Sequence, residues 1–248
     1  MNTTFKTIKV SAFITLLTLG VTPLFGQNYS KAEWRRVKMD SAYDYAQGKA
    51  TKVIENHDVS SAYLQEPVGK CYEKLKFSKL SDLVTDAMLA YGTQRIARTT
   101  KNPQAKADLS IVNFKNTKVS LPAGDVSPLD VIALFPMDNR LTVLELKGKY
   151  IREIIENFAK ERGATAIGGA DFKTDNNILK ECSIGGEPIR DEHIYTVVTI
   201  DFLLSKGDYV HALNHAENLK DCGMFLSNIL IQNIKNLTRK GEMIVNNL

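Results

Sequence analysis

The sequence has 248 residues, of which 44% are apolar and 24% are charged. This balance is typical of a globular protein with one good-sized core. The formal net charge of +4 is too small to predict binding to nucleic acid or to a membrane surface. Length and composition therefore favour one main domain with an N-terminal extension.

Residues 1–26 have the pattern of a secretory signal peptide. Lys6 and Lys9 precede an apolar run at 10–21, small and turn-forming residues follow, and no acidic residue occurs before Glu33. The run is shorter than the roughly 20 apolar residues of a membrane-spanning helix, although a retained anchor is the alternative. Cleavage predicts an exported protein, periplasmic or extracellular, with no stable membrane insertion.

Residues 27–68 are polar and predict a helical or linker extension, and the main domain is predicted at 69–248. Apolar residues recur at helical spacing from Leu80 to Tyr91, with Ser81 as a possible cap. A polar loop is expected at 99–106. Three apolar runs of strand length follow, at residues 109–112, 131–135 and 141–146.

The second half alternates between the two element types. After Gly148, an apolar stripe from Tyr150 to Phe158 predicts a helix. Glycine pairs at 168–169 and 185–186 indicate turns. Residues 195–204 form the longest strand-like run, and a last helix is expected at 224–237. The irregular order of strands and helices predicts an α+β fold with a mixed β-sheet.

The cysteines and histidines give no clear catalytic or metal-binding pattern. Cys71, Cys182 and Cys222 lack metal-ligand spacing, and their odd number allows one disulfide or none. His211 and His215 are four residues apart, which would suit one helix face, but the glutamate of a zinc-protease motif is missing. A segment at 56–58 has only a superficial likeness to a metallophosphoesterase motif.

Eight short segments, taken in chain order, resemble the C-terminal domain of the 5'-nucleotidase family. No single segment is decisive, but their common order extends over roughly 150 residues. They are 83–88 (LVTDAM), 107–113 (ADLSIVN), 120–126 (SLPAGDV), 135–139 (FPMDN), 144–148 (LELKG), 185–188 (GGEP), 195–199 (YTVVT) and 206–209 (KGDY).

The resemblance implies that this domain recognises a nucleotide, while a separate two-metal phosphoesterase domain hydrolyses it. Phe202 matches a ring that stacks on the base, Asn139 an amide that fixes the base, and Asp208 a carboxylate that binds ribose hydroxyls. These roles are physically sensible, because stacking on a base contributes about 1–3 kcal/mol and a carboxylate can accept from two neighbouring hydroxyls.

Three positions depart from the family pattern. Met137 stands where the family has its other stacking ring, and a thioether packs on a base less specifically. Asn113 opens and Lys118 closes a stretch that has lost the family's two glycines and final arginine. Lysine lacks the planar two-pronged grip of arginine on phosphate. Lys206 replaces the first glycine of the last motif.

Two hypotheses follow. In the first, the chain is the exported recognition part of a nucleotidase, and a separate metallophosphoesterase chain supplies the divalent metals, so that this chain has no cofactor of its own. In the alternative, it is a non-catalytic nucleoside-binding or scaffold protein with a degenerate site. A weaker third possibility is an unrelated hydrolase with an unrecognised site. The first hypothesis predicts a nucleotide or nucleoside ligand, whereas a scaffold protein would have lost nucleotide recognition.

Overall fold

The computed structural model describes residues 61–114, 120–135, 139–161, 165–206 and 210–246. All of them belong to one structural unit, Lys38–Leu248. Their mixed sheets and packed helices confirm the predicted α+β class. The predicted signal peptide, most of the extension and the segment 56–58 lie outside the described residues. Within the described part of the chain, no helix has the length and apolar content needed to cross a bilayer.

Six described segments are α-helical, and a 3-10 helix occupies His211–His215. The α-helices are α1 (Ser61–Gln65), α2 (Phe77–Thr100), α3 (Pro128–Leu134), α4 (Gly148–Glu161), α5 (Asp201–Lys206) and α6 (Leu226–Arg239).

The described strands form three sheets. The strands are β1 (Gly69–Cys71), β2 (Leu109–Asn113), β3 (Gly124–Val126), β4 (Arg140–Lys147), β5 (Thr165–Gly168), β6 (Ala170–Asp175), β7 (Ile178–Ile184), β8 (Glu187–Pro188), β9 (Ile194–Ile200) and β10 (Glu217–Phe225). The largest sheet has the order β10-β4-β9-β2-β5, β6-β7-β8 form a second sheet, and β1-β3 form a third. In the largest sheet β2 and β9 are parallel and the other pairs are antiparallel.

Strands β4, β9 and β2 form the centre of the five-stranded sheet and carry much of the core. Val197, Val198 and Ile200 of β9 are completely buried. Helix α2 packs closely on this strand at Gly92. A Cβ atom at this position would overlap the Val198 side chain. The sequence predicted α2 from its apolar spacing, and residues such as Leu80 are buried as expected.

The cap predicted for α2 is wrong, because the helix begins four residues before Ser81. The cap position is Lys76, which makes no side-chain capping bond. The Ser81 hydroxyl instead donates to the carbonyl of Phe77 over 2.9 Å, inside the first turn. The helix continues to Thr100, so the loop begins slightly later than predicted.

The strand predicted at 131–135 is also wrong, since most of this run belongs to α3. Ser127 and Asp130 form a capping box: the Ser127 hydroxyl accepts from the Asp130 N–H, and the Asp130 carboxylate accepts from the Ser127 N–H over 2.8 Å. Pro128 occupies the first turn, where its missing N–H costs nothing. This local start signal outweighs the strand preference of the apolar residues that follow.

Strand β10 is one outer edge of the five-stranded sheet and pairs with β4 irregularly. Its register shifts between Glu217 and Lys220, and again between Asp221 and Phe225. Most of its side chains are exposed. Among the described strands, this edge of the sheet is therefore formed by an irregular strand rather than a straight one.

Candidate functional site

Three strand ends meet at one edge of the five-stranded sheet, here called the site edge. Strands β2 and β9 are parallel, with Ser110 opposite Val198, and both end there. Strand β4 is antiparallel to β9, with Leu141 opposite Ile200, so it begins there. Asn113, Asn139 and Phe202 stand at these three ends. The structure thus places the three described residues of the predicted site at the same edge.

Phe202 lies in the first turn of α5, whereas the sequence predicted a single strand across 195–204. Strand β9 ends at Ile200. The carboxylate of Asp201 then accepts the N–H of Arg140 over 3.1 Å and that of Phe202 over 2.8 Å. These bonds end the strand, start α5 and tie it to the beginning of β4. The ring of Phe202 is half-buried at the rim of the core.

Asn139 precedes β4 and is held by its backbone. Its carbonyl accepts the N–H of Leu226, the first residue of α6, over 2.9 Å. The side chain is half-buried, and its amide forms no hydrogen bond with any other described residue. A carboxamide offers both donors and an acceptor, so this amide is available to a ligand with a mixed edge such as a base.

Aromatic packing fixes the chain on either side of the site edge. The ring of Phe114, which follows Asn113, lies edge-on to Phe135 with 5.9 Å between centroids. It lies edge-on to Phe77 at 5.4 Å. Phe114 and Phe135 are 3% and 6% exposed, so they hold the ends of β2 and α3 together in the core.

Arg140 adds a positive charge at the site edge that was not predicted from the sequence. Its guanidinium lies 5.5 Å from the Phe225 ring centroid, and Nε is 3.8 Å from an Asp221 carboxylate oxygen. The side chain is exposed at the site edge. Its position directly after Asn139 was the available signal. The contacts of the Arg140 side chain, however, depend on how β4 pairs with β9 and β10.

Lys118, Met137 and Asp208 fall outside the described residues. Their roles in phosphate, base and ribose binding remain predictions. Asn113 keeps its place as the last residue of β2, half-buried at the site edge.

The described residues hold no group of three or more His, Cys, Asp or Glu side chains able to bind a metal ion. His211 and His215 do not share a helix face, because a 3-10 helix has three residues per turn and sets positions four apart about 120° from each other. His215 stacks instead on Tyr150, with ring centroids 4.1 Å apart and planes within 6°. A two-metal centre therefore does not fit the described side chains.

The described fold and motifs agree with a family comparison. A model of the 5'-nucleotidase C-terminal domain matches residues 59–215 of the chain. The chain belongs to this family. The match includes Asn113, Asn139 and Phe202 at the site edge. The family assignment predicted from the eight segments is confirmed.

Individual relatives are distant and longer. Protein UshA of Yersinia enterocolitica is 22% identical over 178 residues, covering 70% of this chain and 32% of that protein. A 5'-nucleotidase of Vibrio parahaemolyticus is 25% identical over 118 residues, covering 46% and 21%. The crystal structure of a 5'-nucleotidase precursor from Thermus thermophilus superimposes with a TM-score of 0.60 at 21% identity, covering 75% of this chain and 41% of its own. The chain thus spans less than half the length of these relatives.

Proposed function

We propose that this chain is an exported nucleotide-recognition domain, which presents a nucleotide to a separate metallophosphoesterase chain for hydrolysis. The observation that carries the proposal is the meeting of Phe202 and Asn139 at neighbouring strand ends. An aromatic ring, and an amide without a hydrogen bond to any described residue, are groups suited to binding a purine or pyrimidine base. Family membership supports the same assignment.

The partner would supply the divalent metals and the hydrolytic step. This part of the proposal is motivated by the resemblance, which assigns the metals and the hydrolysis to a separate two-metal phosphoesterase domain. This chain would bind the base, orient the nucleotide and deliver its phosphate. Names of relatives such as the Vibrio 5'-nucleotidase make a nucleoside monophosphate the first ligand to test.

Calorimetric titration of the purified chain with AMP, adenosine and a nucleotide sugar tests recognition. We expect Phe202→Ala to weaken binding of all three by about 1–3 kcal/mol, roughly five- to 150-fold in Kd, because the stacking face is lost. Phe172→Ala is the matched control. Phe172 is also half-buried but belongs to β6, where it packs edge-on to Phe158 at 5.8 Å.

Equal losses from the two variants would place the base elsewhere. No measurable binding by the unaltered chain would favour the alternative of a scaffold protein with a degenerate site.

The partner is tested by mixing the chain with a metallophosphoesterase chain and measuring phosphate release from AMP. A lower KM or a higher kcat, together with co-elution of the two chains, is the expected result. Metal-dependent phosphate release by the isolated chain would contradict the division of labour and revive an independent hydrolase.

A further inference from the structure

The turn at residues 190–193 precedes β9 at the edge of the sheet opposite the site edge, and backbone bonds hold it firmly. The N–H groups of Gly148 and Lys149, which open α4, donate to the carbonyls of His193 and Asp191 over 2.9 and 3.0 Å. The N–H of Arg190 donates to the hydroxyl of Tyr195 over 3.1 Å. The turn is therefore pre-organised.

The two acidic residues of the turn are already paired with cations on or beside α4. Asp191 accepts two hydrogen bonds from the Arg152 guanidinium, at 2.8 and 3.1 Å. Glu192 lies 2.8 Å from the Lys147 ammonium and 3.7 Å from that of Lys149. The hydrogen bond and charge of Lys147 hold the pKa of Glu192 below its ordinary value. Neither carboxylate neutralises the basic residues of the turn.

The two basic residues of the turn line a cavity of about 210 Å³, which Lys106 also lines. The Nη2 of Arg190 lies 3.4 Å from the Nδ1 of His193, so the two side chains are in contact. Neither Arg190 nor Lys106 forms an ion pair with a carboxylate in the described part of the chain. The wall thus carries two cations that have no ion-pair partner among the described residues.

Two carboxylates, those of Asp108 and Glu187, also line this cavity and oppose the two cations. The Asp108 carboxylate accepts the backbone N–H of Thr196 over 2.7 Å, which occupies one of its oxygens. Glu187 is exposed to water. Water screens the exposed Arg190 and Lys106 as strongly as Glu187. The suitability of the cavity for phosphate therefore depends on the N–H donors of Arg190, Lys106 and His193 rather than on a net positive charge.

We propose that this cavity is a second ligand site, which binds a phosphate group through Arg190, Lys106 and His193. A guanidinium grips phosphate oxygens in pairs, an ammonium adds a point charge, and an imidazole N–H adds a donor. Because the turn is fixed before binding, little ordering is needed. The site belongs to the opposite edge of the sheet and does not depend on nucleotide recognition by Phe202.

The test is calorimetric titration with inorganic phosphate at constant ionic strength, with chloride as the balancing anion. We expect saturable binding that Arg190→Gln weakens roughly tenfold or more, because a charge-assisted, two-pronged contact is lost. Glu187→Gln should tighten binding a few-fold by removing an opposing charge. Arg98→Gln is the control, since Arg98 is an exposed arginine of α2 without an ion pair among the described residues.

A second arm titrates AMP into Phe202→Ala protein to distinguish the sources of the phosphate group. Tighter binding of AMP than of inorganic phosphate, still sensitive to Arg190→Gln, identifies a nucleotide phosphate. Equal or weaker binding identifies free phosphate. Thermal unfolding without phosphate shows that each variant is folded.

The proposal is overturned if titration with phosphate gives no more heat than a titration with chloride at the same ionic strength. It is equally overturned if Arg190→Gln and Arg98→Gln bind alike. Neither result bears on base recognition at the site edge, which the Phe202 experiment measures separately.

Discussion

The Cys71 side chain is 1% exposed in β1, and its environment decides its chemistry. Burial, and to a smaller extent the nearby Asp130 carboxylate, raises the pKa of the thiol from 9.0 to about 11. Burial likewise raises the pKa values of Cys182 and Cys222. All three thiols are free. Because thiolates are the reactive form, these cysteines are packing residues, as the lack of any ligand spacing suggested.

Cys71 gives a pH-dependence prediction. Its folded-state pKa is raised, so the folded protein prefers the neutral thiol. The associated stability is fully present below pH 9 and is lost as the pH rises towards 11. We expect the unfolding free energy to lose about 2 kcal/mol by pH 10.5 that Cys71→Ala protein does not lose. Urea unfolding of both proteins at pH 8 and pH 10.5 measures it, and parallel curves would refute the assignment.

The sequence could predict only part of the candidate site at the level of residues. Asn139 and Phe202 could be named because short motifs contain them. The roles of Asp201 and Arg140 could not, because the bond between them joins residues 61 positions apart and depends on strand register. Register is set by packing of the whole sheet rather than by neighbours in the chain.

At the scale of one element, helix α3 shows a competition between the strand preference of its residues and a helix-capping signal. The run at 131–135 contains residues that favour strands, and local pattern alone predicts one. The capping box at Ser127, with Pro128 in the first turn, decides for a helix. Helices α2, α4 and α6 and strands β2, β4 and β9 were predictable because their apolar residues form clear patterns. Strands β6, β7 and β10 were not predicted, because few of their side chains are buried and they give little apolar pattern.

The cap itself can be tested. Ser127→Ala removes a hydroxyl that accepts from the Asp130 N–H and donates to its carboxylate over 2.6 Å. We expect a loss of about 1 kcal/mol in unfolding free energy. Ser81→Ala is the control, since Ser81 only back-bonds to Phe77 within α2 and should be close to neutral. If Ser81→Ala lowered the unfolding free energy more than Ser127→Ala, the result would favour the cap predicted at Ser81.

At the scale of the whole molecule, the five-stranded sheet separates the two edges at which we propose ligand sites. Strand β9 has seven residues, which at about 3.3 Å per residue gives roughly 20 Å between the edges. Arg190 precedes this strand and Phe202 follows it. A rigid sheet of this length keeps the two proposed sites apart and lets each act alone.

The separation predicts additive energetics. The double variant Phe202→Ala/Arg190→Gln should lose as much AMP affinity as Phe202→Ala alone. It should also lose as much phosphate affinity as Arg190→Gln alone, each within about 0.5 kcal/mol. Calorimetry on the four proteins measures the coupling. A coupling well above that limit would mean that one ligand touches both residues or that the sheet transmits a change between its edges.

The uneven outer strand β10 has a consequence for the behaviour of the protein at high concentration. A second molecule could extend the sheet only by aligning a straight row of amides against it. The two register shifts along β10 interrupt that row, and Lys220 and Asp221 add charge between them. Growth into fibres by extension of the sheet from β10 is thereby discouraged.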